Sequence, residues 1–202
     1  MKEIIVGTRN KAKVEQIRGA LAPLDIVVKG LSDDRQLPEV EEDGLTAQEN
    51  ARKKACVYAQ ALGKTVLSMD NALYFDKLSP EKQPGINVRR IPPALSRPGD
   101  EQMLKYYCAL VKSLGKTVKA HWEFAVCVAE PKGKTHETVI FSPRIFVSLP
   151  STTVIPGYPL ESIQIDPVSD RYISEMSQKE QDQFWQIAIG NKLSQFVKTA
   201  LH

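Results

Sequence analysis

Cysteine and histidine are scarce in this chain, which holds three of each among its 202 residues. The cysteines (Cys56, Cys108 and Cys127) are odd in number, widely spaced and set in apolar stretches. That pattern excludes a disulfide framework and any Cys-x-x-Cys metal or redox motif. The histidines also lack the spacing of metal ligands. We therefore expect structural core thiols that stay reduced, in a cytoplasmic protein.

Long apolar runs and an excess of one charge are also missing. The opening residues 1–7 contain no long apolar stretch, so we expect neither a signal peptide nor a membrane span. The 27 lysines and arginines are interspersed with 24 acidic residues, and the net charge is only +3. This balance does not favour nucleic-acid binding. With 42% hydrophobic residues, we interpret residues 1–202 as a single domain with a sizeable core.

The most informative motif follows the first apolar run. Residues 3–7 indicate a strand, and a helical pattern begins near Asn10. The turn between them presents the side chains of Thr8, Asn10 and Lys13 at a helix N-terminus. Free backbone N–H groups and the helix dipole already favour anions at such a terminus. The sequence therefore predicts a phosphate-binding turn, although an isolated Lys13 could equally be a solvated helix lysine.

Two acidic positions further along are candidate metal ligands. Glu42 lies in an acidic loop just before a helix whose start is marked by a capping box, Thr46 to Glu49. Asp70 follows a short strand predicted over residues 65–69, at the edge where open α/β sheets bind ligands. Alternatively, Glu42 belongs to a solvated acidic surface and Lys54, in the helix after it, is a solvated lysine.

The rest of the chain alternates between loops and regular elements. A proline-rich surface loop with three arginines is predicted over residues 79–99 and could act as a lid. Asp100 is predicted to cap a helix that runs to Leu114. Two long antiparallel strands, a short strand and a final helix should follow. Their predicted ranges are 116–130, 135–149, 163–167 and 178–200.

These residues and their order resemble the inosine triphosphate pyrophosphatase family, whose members hydrolyse non-canonical purine nucleoside triphosphates. The resemblance extends over nearly the whole chain and is more specific in the first half. It rests on Thr8-x-Asn10-x-x-Lys13, Glu41-Glu42-Asp43-Gly44-Leu45-Thr46, Glu49 to Ala55, Met69 to Leu73, Pro84-Gly85-Ile86 with Arg90, Asp166-Pro167 and Ser174-Glu175-Met176.

The resemblance implies a fold and an activity. The fold would be α/β, with a long mixed twisted sheet flanked by helices and two lobes around a central cleft. The activity would be Mg²⁺-dependent hydrolysis of a nucleoside triphosphate (ITP, XTP, dITP or an altered base) to monophosphate and pyrophosphate, typically in a homodimer. Glu42 and Asp70 would bind Mg²⁺, and Asp70 and Lys54 would be catalytic. The substrate would contact Thr8, Asn10, Lys13, Lys54, Arg90 and Asp166.

Several departures from the family pattern concern the base-reading half of the site. Residues 184–189 lack the family's Ser-His-Arg motif, Gln181 replaces a lysine, and Ile163 stands near the position of the base-stacking aromatic. Trp185 could stack on a base, but the more common role is core packing. Asp166-Pro167 could be a plain turn. These departures indicate an altered base preference.

Two alternative functions stay open at this stage. One is a pseudoenzyme of the same fold that binds nucleotide or a protein partner. The weaker alternative is an RNA- or protein-binding module that uses the basic loop around residues 89–97. Met69 replaces the first aspartate of the family's Asp-Asp pair, which predicts reduced activity unless Glu41 compensates.

Overall fold

A computed structural model of the chain describes residues 2–32, 36–91 and 98–201. Its strands are β1 (Lys2–Val6), β2 (Ile26–Gly30), β3 (Val66–Phe75), β4 (Thr117–Ala129), β5 (Thr135–Val147), β6 (Gln164–Asp166) and β7 (Arg171–Tyr172). Its helices are α1 (Lys11–Leu21), α2 (Ala47–Leu62), α3 (Asp100–Ser113), α4 (Gln178–Trp185) and α5 (Asn191–Ala200). Within these ranges, no helix has both the length and the apolar character needed to cross a bilayer.

The strands form one seven-stranded sheet in the order β2-β1-β3-β4-β5-β6-β7. Strand β1 runs parallel to both β2 and β3, whereas β6 runs antiparallel to β5 and β7. Parallel pairing at one end follows from the strand–helix alternation of the first 75 residues, because each crossover helix returns the chain to the same edge. The predicted mixed sheet with flanking helices is confirmed.

The chain divides into two compact units, in agreement with the two predicted lobes. The first unit comprises Met1–Asn71, Glu123–Phe141 and Asp182–His202. The second unit comprises Ala72–Trp122 and Ser142–Gln181.

In the first unit, local sequence signals set the ends of the helices. Helix α1 buries Val14, Ile17 and Leu21, the three positions with i, i+3, i+7 spacing. The predicted capping box at Thr46 is present at the start of α2. That helix ends at Gly63, whose positive φ of 61° is a conformation that glycine adopts without strain.

In the second unit, aromatic residues from distant parts of the chain pack together. The centroid of the Phe75 ring lies 6.3 Å from the ring centroid of Tyr107 on α3 and 5.0 Å from that of Phe146 on β5. The Tyr107 hydroxyl donates to the backbone oxygen of Val88 at 3.0 Å. Gly85 pairs with Leu73 in an isolated β-bridge. Residues 84–88 are therefore held in place within the second unit. Residues 92–97, with Arg97, lie outside the described ranges.

Three predicted elements differ from the structure. Strand β3 does not end at Met69 but continues to Phe75, because Ala72, Leu73 and Phe75 are all buried. Helix α3 is capped by Gly99, whose N–H donates to Gln102, and Asp100 is its first residue. The predicted last helix is divided by a π-helical turn over residues 186–190.

Candidate functional site

The turn between β1 and α1 is shaped by two of the predicted phosphate-binding side chains. Asn10 caps α1, and its Oδ1 accepts hydrogen bonds from the backbone N–H groups of Ala12 and Lys13 at 3.0 and 3.3 Å. The Thr8 hydroxyl oxygen accepts from the N–H of Asn10 at 3.2 Å. In these bonds Thr8 and Asn10 act only as acceptors. The Thr8 hydroxyl hydrogen and the Asn10 amide NH₂ can therefore still donate hydrogen bonds to an anion.

The same turn lies beside β3 because Gly7 allows a close approach. The N–H of Gly7 donates to the oxygen of Leu67 at 2.7 Å, and the Ser68 hydroxyl donates to the oxygen of Gly7 at 3.3 Å. A Cβ at Gly7 would lie only 2.3 Å from the Ser68 oxygen. The parallel register pairs Val6 with Leu67 and therefore brings the residues after β1 alongside the Asp70 region of β3.

The centre of the site is an ammonium group held between two carboxylates. The Lys54 Nζ donates to Glu42 Oε1 at 2.7 Å and to Asp70 Oδ1 at 3.2 Å. The side chains of Lys54 and Asp70 are only 11% and 14% exposed, whereas that of Glu42 is 42% exposed. The structure therefore brings together one residue each from the acidic loop, α2 and β3, all three of which the sequence analysis selected.

The position of Glu42 is set by a series of bonds between its loop and α2. The Lys53 ammonium donates to Asp43 at 2.6 Å and lowers the pKa of that carboxyl. The N–H of Gly44 donates to the side-chain oxygen of buried Asn50 at 2.8 Å, and Glu49 accepts from the N–H of Leu45 at 2.6 Å. The role of Asn50 was missed from the sequence, where the only signal is its place beside the capping box.

Asp70 and Met69 point in different directions. Successive side chains of a strand alternate between its two faces, so Asp70 shares a face with Ser68, and Met69 lies on the other face. Met69 is buried there. A carboxylate at position 69 would therefore point away from Lys54, and its absence does not remove an acid from the Glu42–Asp70 pair.

The pair of carboxylates has the donor chemistry of a magnesium site. Mg²⁺ is commonly held by one or two carboxylates, with waters and substrate phosphate oxygens completing its coordination. Among the residues that the structure describes, no group of three or more His, Cys, Asp or Glu side chains could hold a metal by itself. Glu42 and Asp70 thus fit a hard cation that shares its coordination with phosphate rather than a closed structural metal site.

The other two predicted substrate ligands belong to the second unit. Arg90 is exposed, and its backbone N–H donates to the oxygen of Asn87 at 2.8 Å. The Asp166 carboxylate accepts from the N–H and hydroxyl of Ser169 at 3.0 and 2.7 Å, and from the N–H of Val168 at 3.3 Å. Asp166 therefore stabilises a turn, and its role in substrate binding stays a prediction.

Two buried charged residues of the second unit were not predicted. Arg144 on β5 is 5% exposed and donates to the Ser142 hydroxyl at 2.5 Å. Glu161 is 9% exposed, and burial raises the pKa of its carboxyl to about 7, against the opposing effect of Arg144. In the sequence, the only hint that Glu161 is buried is that most of its neighbours in residues 159–163 are apolar.

In the parts of the chain that depart from the family pattern, three side chains have structural contacts. Trp185 is partly buried and packs edge-on against Phe124, with 5.8 Å between the ring centroids, a contact in keeping with core packing. The amide of Gln181 donates to the backbone oxygen of Met176 at 3.0 Å. Ile163 is completely buried in the core of the second unit.

Comparison with known proteins gives consistent matches. The model of the Ham1 family matches residues 4–184. A dITP/XTP pyrophosphatase from Exiguobacterium sp. is 35% identical over 135 residues, which cover 66% of this chain but only 65% of that protein. One from Bacillus subtilis is 32% identical over 151 residues, covering 66% of this chain and 76% of that protein.

The fold also matches a solved structure over nearly its full length. The Staphylococcus aureus Ham1 protein superposes with a TM-score of 0.75 at 25% sequence identity, covering 98% of this chain and 100% of that one.

Proposed function

Because this chain belongs to the Ham1 family, in agreement with the resemblance stated from its sequence, we propose that it is a nucleoside triphosphate pyrophosphatase. Its substrate would be a non-canonical purine nucleotide such as ITP, XTP or dITP, or one with an altered base. The products would be the nucleoside monophosphate and pyrophosphate. The observation that supports this most directly is the Glu42–Lys54–Asp70 group beside the phosphate-binding turn.

In this proposal, the triphosphate is bound by the start of α1. The hydroxyl of Thr8, the amide of Asn10 and the ammonium of Lys13 donate to phosphate oxygens, and the α1 dipole favours their negative charge. The backbone needs no rearrangement for this, because Thr8 and Asn10 already use their oxygens to fix the turn. Binding therefore orients the phosphates at little entropic cost.

The proposed catalytic step depends on Asp70. Lys54 donates to Oδ1 of Asp70, which leaves Oδ2 suited to orient the attacking water and accept its proton. Lys54 would also neutralise charge that develops on the phosphate. Mg²⁺, held by Glu42 and Asp70, would polarise the phosphoryl group and neutralise the triphosphate when bound. Arg90 and Asp166 remain part of the proposal through the family resemblance alone.

The test is product release across a nucleotide panel with Mg²⁺. The panel should contain ITP, XTP, dITP, dUTP and the canonical nucleotides, with pyrophosphate and phosphate measured separately. We expect pyrophosphate from at least one nucleotide and a loss of roughly 100-fold or more in kcat for Asp70→Asn. Asp25→Asn is the matched control, because Asp25 is exposed in the turn just before β2, and it should keep its activity.

A pseudoenzyme is the second candidate function. It is supported by the structural roles of Trp185 and Gln181, which occupy the region where the family carries its base-reading groups. Nucleotide binding without turnover of any panel member would favour it over the enzyme. We also propose that the protein is cytoplasmic and that it forms a homodimer. Light scattering on the purified protein would test the dimer.

A further inference from the structure

A single lysine satisfies both carboxylates that are proposed to hold the metal. The Lys54 nitrogen lies 2.7 Å from Glu42 Oε1 and 3.2 Å from Asp70 Oδ1. The side chains of Lys54 and Asp70 are 11% and 14% exposed, so water screens the charge of Asp70 only in part. Two acids brought this close in a partly buried place repel each other unless a cation lies between them. In the metal-free protein, that cation is Lys54.

A divalent cation and the Lys54 ammonium cannot occupy this position together. A divalent cation bound between the two carboxylates would lie within a few ångströms of the ammonium, and two positive charges that close in a partly desolvated place repel strongly. The lysine must therefore withdraw when a metal binds. Its four-carbon stem is flexible, which allows the ammonium to move to another anion without moving the helix.

We propose that the Lys54 ammonium takes the place of the metal in the metal-free protein and competes with the divalent cation for Glu42 and Asp70. Metal entry then releases the ammonium, and a triphosphate supplies the anion that accepts it. Metal binding and phosphate binding therefore favour each other, and metal binding to the protein alone is weak. The identity of the metal and of the anion rests on the proposed function, whereas the competition rests on the contacts of Lys54.

The loop that carries Glu42 is held independently of Lys54. Asp43 bonds to Lys53, and the N–H of Gly44 bonds to Asn50. Asp70 is fixed within β3. Replacing Lys54 should therefore leave both carboxylates near their present positions, where a metal can bind without competition from the Lys54 ammonium.

The experiment measures Mn²⁺ binding to the protein alone, without nucleotide, by electron paramagnetic resonance. Lys54→Met removes the charge and keeps most of the volume of the side chain. We expect it to bind Mn²⁺ about tenfold more tightly than the wild type, because the metal no longer has to displace an ammonium; tenfold in Kd corresponds to about 1.4 kcal/mol. Lys64→Met, the matched control, removes an ammonium that pairs with Glu3 beyond the other end of α2, and it should bind Mn²⁺ as the wild type does. Equal or weaker binding by Lys54→Met would overturn the proposal.

A second measurement uses the wild type and does not depend on the folding of Lys54→Met. The Lys54 ammonium signal of ¹⁵N-lysine-labelled protein, identified by its absence from Lys54→Arg, should shift or broaden when Mg²⁺ is added. A signal that is unchanged at saturating Mg²⁺ would also overturn the competition. Neither experiment involves hydrolysis, so failure here is distinguishable from failure of the proposed activity in the nucleotide panel.

Discussion

Replacing Glu161 with glutamine should stabilise the protein at pH 8 and leave its stability nearly unchanged at pH 4.5. Glu161 is buried, with only 9% of its surface exposed. Burial raises the pKa of this carboxyl from the ordinary 4.5 to about 7, although the nearby Arg144 opposes the change. The folded protein therefore retains a proton that the unfolded chain releases.

The sign and size of the effect follow from this difference in pKa. Between pH 4.5 and 7 the folded state binds more protons than the unfolded state, so the stability of the wild type falls as the pH rises. Each pH unit in that window costs about 1.4 kcal/mol, and the whole window costs about 3 kcal/mol. Glutamine has no proton to lose, so the variant escapes this cost and keeps the shape of the side chain.

The assay is urea denaturation of both proteins at pH 4.5 and pH 8, followed by circular dichroism. The advantage of Glu161→Gln should grow from near zero to about 3 kcal/mol. Glu101→Gln, an exposed substitution on α3, is the matched control and should show almost no dependence on pH. An advantage of the same size at both pH values would refute the argument that burial of an ionised carboxylate destabilises the fold.

Two further predictions concern the elements that position the site. Gly7→Ala should destabilise the protein by about 2 kcal/mol in thermal unfolding, because the new Cβ would overlap the Ser68 oxygen. Gly19→Ala, whose Cβ would meet no atom within 4 Å, should instead be neutral or stabilising, and equal losses in both variants would contradict this. Thr46→Ala should cost about 1 kcal/mol, since Glu49 loses the acceptor of its N–H. A loss below about 0.3 kcal/mol in the same assay would show that this cap contributes little.

Features that depend on neighbouring residues were predicted well from the sequence. The N-cap of α2 and its glycine stop were predicted because a capping box and a left-handed terminus require particular residues at short, fixed spacing. The buried face of α1 was predicted for the same reason. Thr8 and Asn10 lie where expected, at the end of a strand and the start of a helix.

Features that depend on distant contacts were predicted less well. The polar pair Asp70-Asn71 suggests the end of a strand, but the packing of Leu73 and Phe75 in the second unit extends β3 beyond it. The burial of Glu161 and Arg144 was not predicted either, since charged side chains are usually solvated. Similarly, the sequence predicts Glu42, Lys54 and Asp70 as separate site residues without indicating that one lysine bonds to both acids.

Because hydrogen bonds join the acidic loop to α2, Glu42 moves together with that helix. Asp43, Gly44 and Leu45 are each tied to a residue of α2. The gap between the carboxylates of Glu42 and Asp70 is then governed by how α2 packs on β3. Insertions or deletions upstream of Glu42 can change the length of the loop without moving its carboxylate, whereas a small tilt of α2 would change the geometry of the cation site at once.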